Sequence, residues 1–320
     1  MSVSTVSRVL NSPASVSERR RAAVLQAVDQ LAFRPSLAAR TLATGRSRTL
    51  ALVVSDTAKY GYTTAIQGVE EAARHHGFAT IITVVDSDDL DHTGAALDVI
   101  LGQSVAGVVG LEFDTTVART LRHIPSHIPV AVASVSGADP SSRPSLHLDD
   151  ALGTLRATNH LLRLGHSTVH YFVVENAHFA ETGRISGWRN GLRAAEVDVP
   201  APILTGWTPE EAYQVAREQY RPEMTAILCH NDEIAMAVMS ALADLGLRVP
   251  EDVSVIGVDD HPIGRIWRPQ LTTVQIDFFG LGARVLALLE AVLGGEDVPA
   301  SVRVEPRFVV RGSTAAPAAR

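Results

Sequence analysis

Two periods of apolar residues divide the chain near residue 48. Before it, apolar positions recur at helical spacing: Val3, Val6, Val9 and Leu10 form one face of "SVSTVSRVLN", residues 2–11. Ser2 is placed to cap the first turn, and Asn11-Ser12-Pro13 ends it. A second helix opens at Ser17, carries Val24, Leu25, Val28 and Leu31 as a stripe, and stops before Phe33-Arg34-Pro35. The stretch "SLAARTLATG", residues 36–45, follows a proline and stops at Gly45. At about nine residues it is too short to persist alone in water, so it should form a helix only when something stabilises it.

From Thr49 onward the pattern becomes short runs of valine, leucine and isoleucine between helical stretches. "TLALVVSD", "ATIITVVDSD", "VAGVVGLE", "PVAVAS", "TVHYFVV", "TAILCHND" and "VSVIGVDD" each read as a strand buried on both faces. Helices such as "TTAIQGVEEAARHHG", "DDALGTLRATNHLLRLG", "ISGWRNGLRAAE" and "DEIAMAVMSALADLG" alternate with them. Repeated βαβ alternation predicts doubly wound parallel sheets with ligands at the carboxyl ends of the strands. Asp56, Asp86, Glu112, Asn231-Asp232 and Asp259-Asp260 fall at those ends, so two facing sheets would enclose a polar cleft. "GSTAAPAAR" at the end of the chain reads as a disordered tail.

With 46% apolar and 20% charged residues among 320, the chain can bury a large core divided among more than one domain. No apolar run approaches the roughly 20 residues that span a bilayer, and a cleavable leader pattern is missing, so a cytoplasmic protein with no membrane partner is expected. Cys229, the single cysteine, excludes an internal disulfide and a thiolate metal cluster, and its apolar setting places it in the core. The net charge of −7 conceals an asymmetry. Residues 1–48 carry eight arginines against Glu18 and Asp29, a balance of +6, which leaves −13 on the rest. A basic head on an acidic body points to a polyanion at one end only.

Candidate chemistry follows the same division. Ser4, Thr5, Ser7 and Arg8 lie opposite the apolar face of the first helix, a set of donors suited to phosphates and base edges. Tyr62, Asp150, Arg184, Trp207, Asn231, Asp232, Asp259 and Phe278 combine hydrogen-bonding groups with aromatic planes, which suits a neutral polyol. Catalytic signatures (a G-x-S-x-G elbow, a phosphate-binding G-x-x-x-x-G-K, an H-E-x-x-H) are missing, Lys59 is the only lysine, and neither an enzyme, a metal nor a cofactor is expected.

These residues resemble the lactose/galactose repressor family of bacterial transcription regulators over almost the whole chain. "SVSTVSRVLN" resembles the family's recognition helix, "SLAARTLATGRSRTLALVV" its hinge helix and first sensor strand, and "ILCHNDEIAMAVMSALADLGLRVPEDVSVIGVDD" its most specific sensor segment. The resemblance implies that Val3, Ser4 and Arg8 read bases and Leu42 wedges the minor groove; Arg20 or Arg21 is separately expected to touch phosphate. It implies effector contacts at Asn231-Asp232, at Asp259-Asp260, at Arg184 of an R-x-x-G-W segment, and at Phe278 where the chain crosses between lobes. The fold implied is a small all-α helix-turn-helix remnant with a hinge helix over 36–44, within residues 1–48. A two-lobed α/β sensor like periplasmic binding proteins, with two doubly wound parallel sheets, follows over 49–320. Lobe one is expected over about 49–161 plus 278–300, and lobe two over about 162–277 plus 301–312.

The implied function is a sugar-responsive homodimeric repressor on a near-palindromic operator. Its alternative is a stand-alone sugar-binding sensor with an inactive head. The sequence departs from the family pattern at two places. Residues of a preceding helix are expected upstream of Met1, which stands where valine is usual, so translation is expected to start earlier than residue 1. "KYGY", residues 59–62, replaces the family's Asn-Pro-aromatic-aromatic turn.

Overall fold

The computed structural model describes residues 2, 5–6, 8–9, 15–33, 45, 47–85, 90–135, 143–174 and 183–318, with the backbone alone at 90–93. Val3, Ser4, Ser7, Asn11-Ser12-Pro13, the hinge segment 36–44 with Leu42, and Asp86–Asp89 lie outside these residues. The chain divides into two compact units, Met1–Arg48 and Thr49–Arg320.

In the first unit Ser2 initiates a helical turn. Its carbonyl accepts from the amides of Thr5 and Val6 at 3.0 and 3.2 Å, and its hydroxyl accepts from the Thr5 amide at 3.3 Å. Helix α1, Glu18–Gln30, follows Ser17, whose side chain makes no capping bond. Val9 and Val24 are buried, whereas Leu25 and Leu31 of the expected apolar stripe stay exposed.

The second unit contains two six-stranded sheets. Lobe one is built on β1 (Thr49–Val54), β2 (Ala79–Val84), β3 (Gly107–Glu112), β4 (Val130–Ser134) and β5 (Ser145–Leu148). Helices α2 (Tyr60–His75), α3 (Leu90–Gly102) and α4 (Thr115–Arg122) connect them. After α5 (Asp150–Arg163), lobe two adds β6 (His170–Val174), α6 (Gly183–Ala194), β7 (Ile203–Thr205), α7 (Pro209–Gln219), β8 (Ala226–Cys229), α8 (Asp232–Asp244), β9 (Ser254–Asp259) and β10 (Thr272–Gln275). Helix α9 (Phe278–Gly294) then precedes β11 (Ser301–Val304) and β12 (Arg307–Val309). The strand orders are β11-β5-β4-β3-β1-β2 and β12-β10-β9-β8-β6-β7, parallel throughout except for the β10–β12 pair. All seven strands expected from apolar runs form. The short β5, β7, β10, β11 and β12 carry too few apolar residues to stand out.

The lobe boundaries differ from expectation, and the reason is an exchange of elements. Residues 301–304 belong to lobe one, because β11 pairs in parallel with β5, Ser301 opposite Ser145. Only β12 of that segment joins the second sheet. Helix α5 leaves a lobe-one strand yet packs on α6 in lobe two, so lobe one ends near Asp149 and not near 161. Helix α9 leaves a lobe-two strand and packs on α2 in lobe one. The two turns that perform this exchange are alike: Asp149 at φ −85°, ψ 72° caps α5 through the Leu152 amide, and Asp277 at φ −84°, ψ 75° caps α9 through the Gly280 amide. Both sit in the region of the inverse γ-turn, which redirects the chain within one residue.

The α5–α6 contact depends on the absence of a side chain at Gly187. A Cβ there would stand 2.0 Å from the Ala151 carbonyl oxygen and 2.3 Å from Thr154 Oγ1. That hydroxyl is fixed by a 2.6 Å bond to the Arg184 carbonyl. Gly187→Val forces backbone apart from backbone, beyond ordinary overpacking, and should lower stability by about 3 kcal/mol or more. Urea denaturation is the measurement; an unchanged midpoint would mean the helices separate freely.

The C-terminal segment is ordered to residue 318, against the expectation of a disordered tail. The Ser313 carbonyl accepts from the Val255 amide at 2.9 Å, and the buried Ser313 hydroxyl donates to the Val255 carbonyl and accepts from the Thr272 amide. Farther on, the Ala315 amide donates to Ser254 Oγ, and the Ala315 carbonyl meets the buried His166 ring at 3.0 Å. Small polar residues there fit a backbone that docks through hydrogen bonds instead of apolar side chains.

Candidate functional site

The carboxyl ends of the two sheets face one cleft, and the crossover turns deliver side chains to its floor. The cleft is partly open to solvent and is lined by side chains from both lobes. At the floor stands Arg184, from the first turn of α6. Its Nε donates to Asp150 Oδ2 at 2.8 Å, Nη1 to the His230 carbonyl at 2.6 Å, and Nη2 to Asp259 Oδ1 at 3.1 Å. Burial alone would depress the Arg184 pKa, but Asp150 and Asp259 outweigh it, and the guanidinium is held charged. Burial also pushes the Asp259 carboxyl up to about 7, with Arg184 opposing and Asp150 and Glu233 adding to the rise. The backbone there is strained: φ is 111° at Asp259 and 58° at Asp260, in the left-handed region that β-carbons resist.

Asp150 is buried, and its Oδ1 has no hydrogen-bond partner among the described residues. An unpaired buried acceptor is destabilising unless a ligand or water donates to it. His230 is held well below its ordinary pKa by burial and by the neighbouring Arg184 and Lys59, so its ring is neutral.

Lobe one supplies aromatic planes from the start of α2 and the end of β3. Tyr62 packs on Phe113 at 4.9 Å between ring centroids, Phe113 on Phe278 at 5.8 Å, and Tyr60 on His261 at 4.5 Å. The Tyr62 hydroxyl donates to Asp114 at 2.8 Å, and burial raises its pKa first of all. Lys59 lies with Nζ 3.8 Å from the centre of the Trp207 ring and 3.4 Å from Asp56 Oδ2. The cleft can thus hydrogen-bond, stack and neutralise charge from both lobes.

Residues 1–36 match the family described as "Bacterial regulatory proteins, lacI family", and residues 158–314 match the "Periplasmic binding protein-like domain". The transcriptional repressor PurR of Klebsiella pneumoniae (strain ATCC 700721 / MGH 78578) is 30% identical across 98% of this chain and 94% of its own. The chain belongs to the lacI family. Among solved structures, the lac repressor dimer bound to operator and the anti-inducer ONPF shares 25% identity at a TM-score of 0.88, covering 99% of this chain and 96% of that one. The transcriptional regulator CelR in complex with cellobiose shares 26% identity at a TM-score of 0.74, covering 97% and 95%.

Of the cleft residues expected from sequence, Tyr62, Asp150, Arg184, Trp207, Asn231, Asp259 and Phe278 line this one space in the lacI-family chain. Asp232 does not. It lies beneath the cleft with both oxygens engaged, Oδ1 accepting from Thr273 Oγ1 and Oδ2 from the His261 amide, each at 2.6 Å. Those two bonds tie β10 to the loop at His261, and burial raises the Asp232 pKa well above the usual carboxylate range. Asp260 is likewise spent, on Arg265, Arg311 and Gln275. Asn231 uses its Oδ1 to cap α8 through the Ile234 amide. Sequence reasoning missed Lys59, Tyr60, Phe113, Asp114, Tyr171, His230 and Glu233. Position after a strand was a usable signal for Phe113-Asp114, His230 and Glu233; for Tyr60 the departure at "KYGY" obscured it.

In the head, Arg8 and Arg20 are exposed, and Arg21 pairs with Glu18 at 3.2 Å. The Thr5 hydroxyl meets that of Ser2 at 2.9 Å. Among the described residues no helix is long and apolar enough to cross a membrane.

Proposed function

We propose that this lacI-family chain is a homodimeric transcriptional repressor whose head, residues 1–48, binds a near-palindromic operator and whose sensor, residues 49–320, takes a sugar or sugar derivative as effector. The observation that carries the effector half is the floor of the cleft: Arg184 fixed between two carboxylates beside the unpartnered Asp150 Oδ1. A hydroxyl group satisfies that oxygen by donating to it, while Tyr60, Phe113 and Phe278 offer planes to ring CH groups. Reading the chain as a regulator and not an enzyme rests on its relatives, two repressors and one regulator by name.

In this reading Tyr62, Asp150, Arg184, Trp207, Asn231, Asp259 and Phe278 contact the effector. Val3, Ser4, Thr5, Ser7, Arg8, Arg20, Arg21 and Leu42 contact DNA. Effector binding moves the lobes about the crossover turns and alters the spacing of the paired hinge segments. Coupling of about 1–3 kcal/mol changes operator occupancy roughly 5- to 150-fold.

Fluorescence anisotropy with DNA from upstream of the gene tests this, with random DNA as control. Specific binding that responds to a sugar is expected, and equal affinity for both DNAs at physiological salt overturns it. Arg20→Ala should weaken binding to both DNAs and lower the salt slope by about 1, as for a lost phosphate contact. Leu42→Ala should reduce discrimination between them, because a wedge acts only where base steps unstack easily.

A further inference from the structure

We propose that the effector carries a protonated amine, an amino sugar being the class, and that Glu233 receives the ammonium group. This rests on the sugar-sensing reading above and narrows it.

Both cations of the cleft are already engaged. Arg184 donates to Asp150, Asp259 and the His230 carbonyl, and Lys59 is shared between Asp56 and the Trp207 face. The acids are not matched by them. Glu233 lines the cleft with no ion pair among the described residues, and Asp150 Oδ1 is buried there with no donor. The two histidines nearby are no substitute cations: His230 is held neutral, and burial lowers the pKa of His261 against an opposing pull from Glu233.

Glu233 also stands in the wall of an adjoining groove with Glu210 and Tyr213, and the described lining of that groove contains neither lysine nor arginine. An anionic sugar would place its charge beside Glu233 and Glu210. A neutral sugar can satisfy Asp150 Oδ1 through a hydroxyl but leaves Glu233 without a cation. An ammonium group brings three donors and a compensating charge, and charge-assisted bonds are about twice as strong as neutral ones. Lys59 over Trp207 is an ammonium already seated on an aromatic face at this cleft.

Calorimetry on the full chain decides the matter, with glucosamine, galactosamine and mannosamine as probes. Their parent hexoses, N-acetyl forms and 6-phosphates are the comparators. At least one amino sugar should bind about tenfold or more tighter than its parent and its N-acetyl form. Glu233→Gln should bring that ratio to about one while leaving affinity for the parent hexose within about threefold. The proposal is overturned if a parent hexose or a phosphate binds as tightly, or if the ratio survives in Glu233→Gln. Tighter binding of a neutral hexose removes only the amine and leaves the sugar-sensing reading intact. Silence across the whole panel removes both.

Discussion

Arg184→Ala should weaken effector binding on the order of 100-fold or more while leaving operator affinity near that of the unchanged protein. The side chain organises the cleft floor from the sensor and belongs to no part of the head. Its loss also strands Asp150 and Asp259 as buried carboxylates without their cation, a change that destabilises folded proteins by about 3–5 kcal/mol. The sign of the pH dependence follows from Asp259. Its folded pKa of about 7 lies above the ordinary carboxylate value, so the folded state binds the extra proton and this group's contribution to stability falls as pH rises through about 4 to 7. Without Arg184 the carboxyl ionises at higher pH still, so the mutant should lose more stability at pH 8 than at pH 5. Urea midpoints at the two pH values, with calorimetry using the effector, check both halves. Unchanged sugar affinity would remove Arg184 from the binding site, and equal destabilisation at both pH values would contradict the charge argument.

Truncation after Val310 should lower the melting temperature by about 10 °C or more, the shift expected for several kcal/mol in a domain of this size. The deletion removes the Ser313 bonds to Val255 and Thr272, the Ala315 partner of His166 and the Arg311 guanidinium on Asp260. Asp260 would keep Arg265 and Gln275, so the charge is not orphaned and lobe two should loosen instead of failing to form. Circular dichroism melts of the truncated chain measure this. A shift within about 2 °C would mean the segment rests on lobe two without supporting it.

The tail shows where sequence reading reaches its limit. Its composition, small and polar, is shared by disordered ends and by backbone that docks through hydrogen bonds, and only tertiary partners such as Ser254 and Thr272 separate the two. The buried parallel strands were legible because burial on both faces requires continuous apolar runs. β5 and β11 were not, since "SLHL" and "SVRV" are short and interrupted by His147 and Arg303. In the site, residues at strand ends were found because sheet geometry puts those ends at the cleft. Asp232 was placed there for the same reason and wrongly: adjacent residues at a strand end face different directions, and Asn231 faces the cleft while Asp232 ties β10 to the loop at His261.

The exchange of elements between the lobes also governs the order in which a growing chain can become native. Lobe one begins with the earliest strands, yet its edge stays unpaired at β5 until β11 arrives, with Ser145 bonded to Ala300 across 155 positions. Helix α9, which covers part of the same sheet, arrives only after lobe two has been made. A ribosome must therefore synthesise nearly the whole polypeptide before either half is complete, and during that interval the β5 edge and the apolar surface awaiting α9 are open to association with other nascent chains.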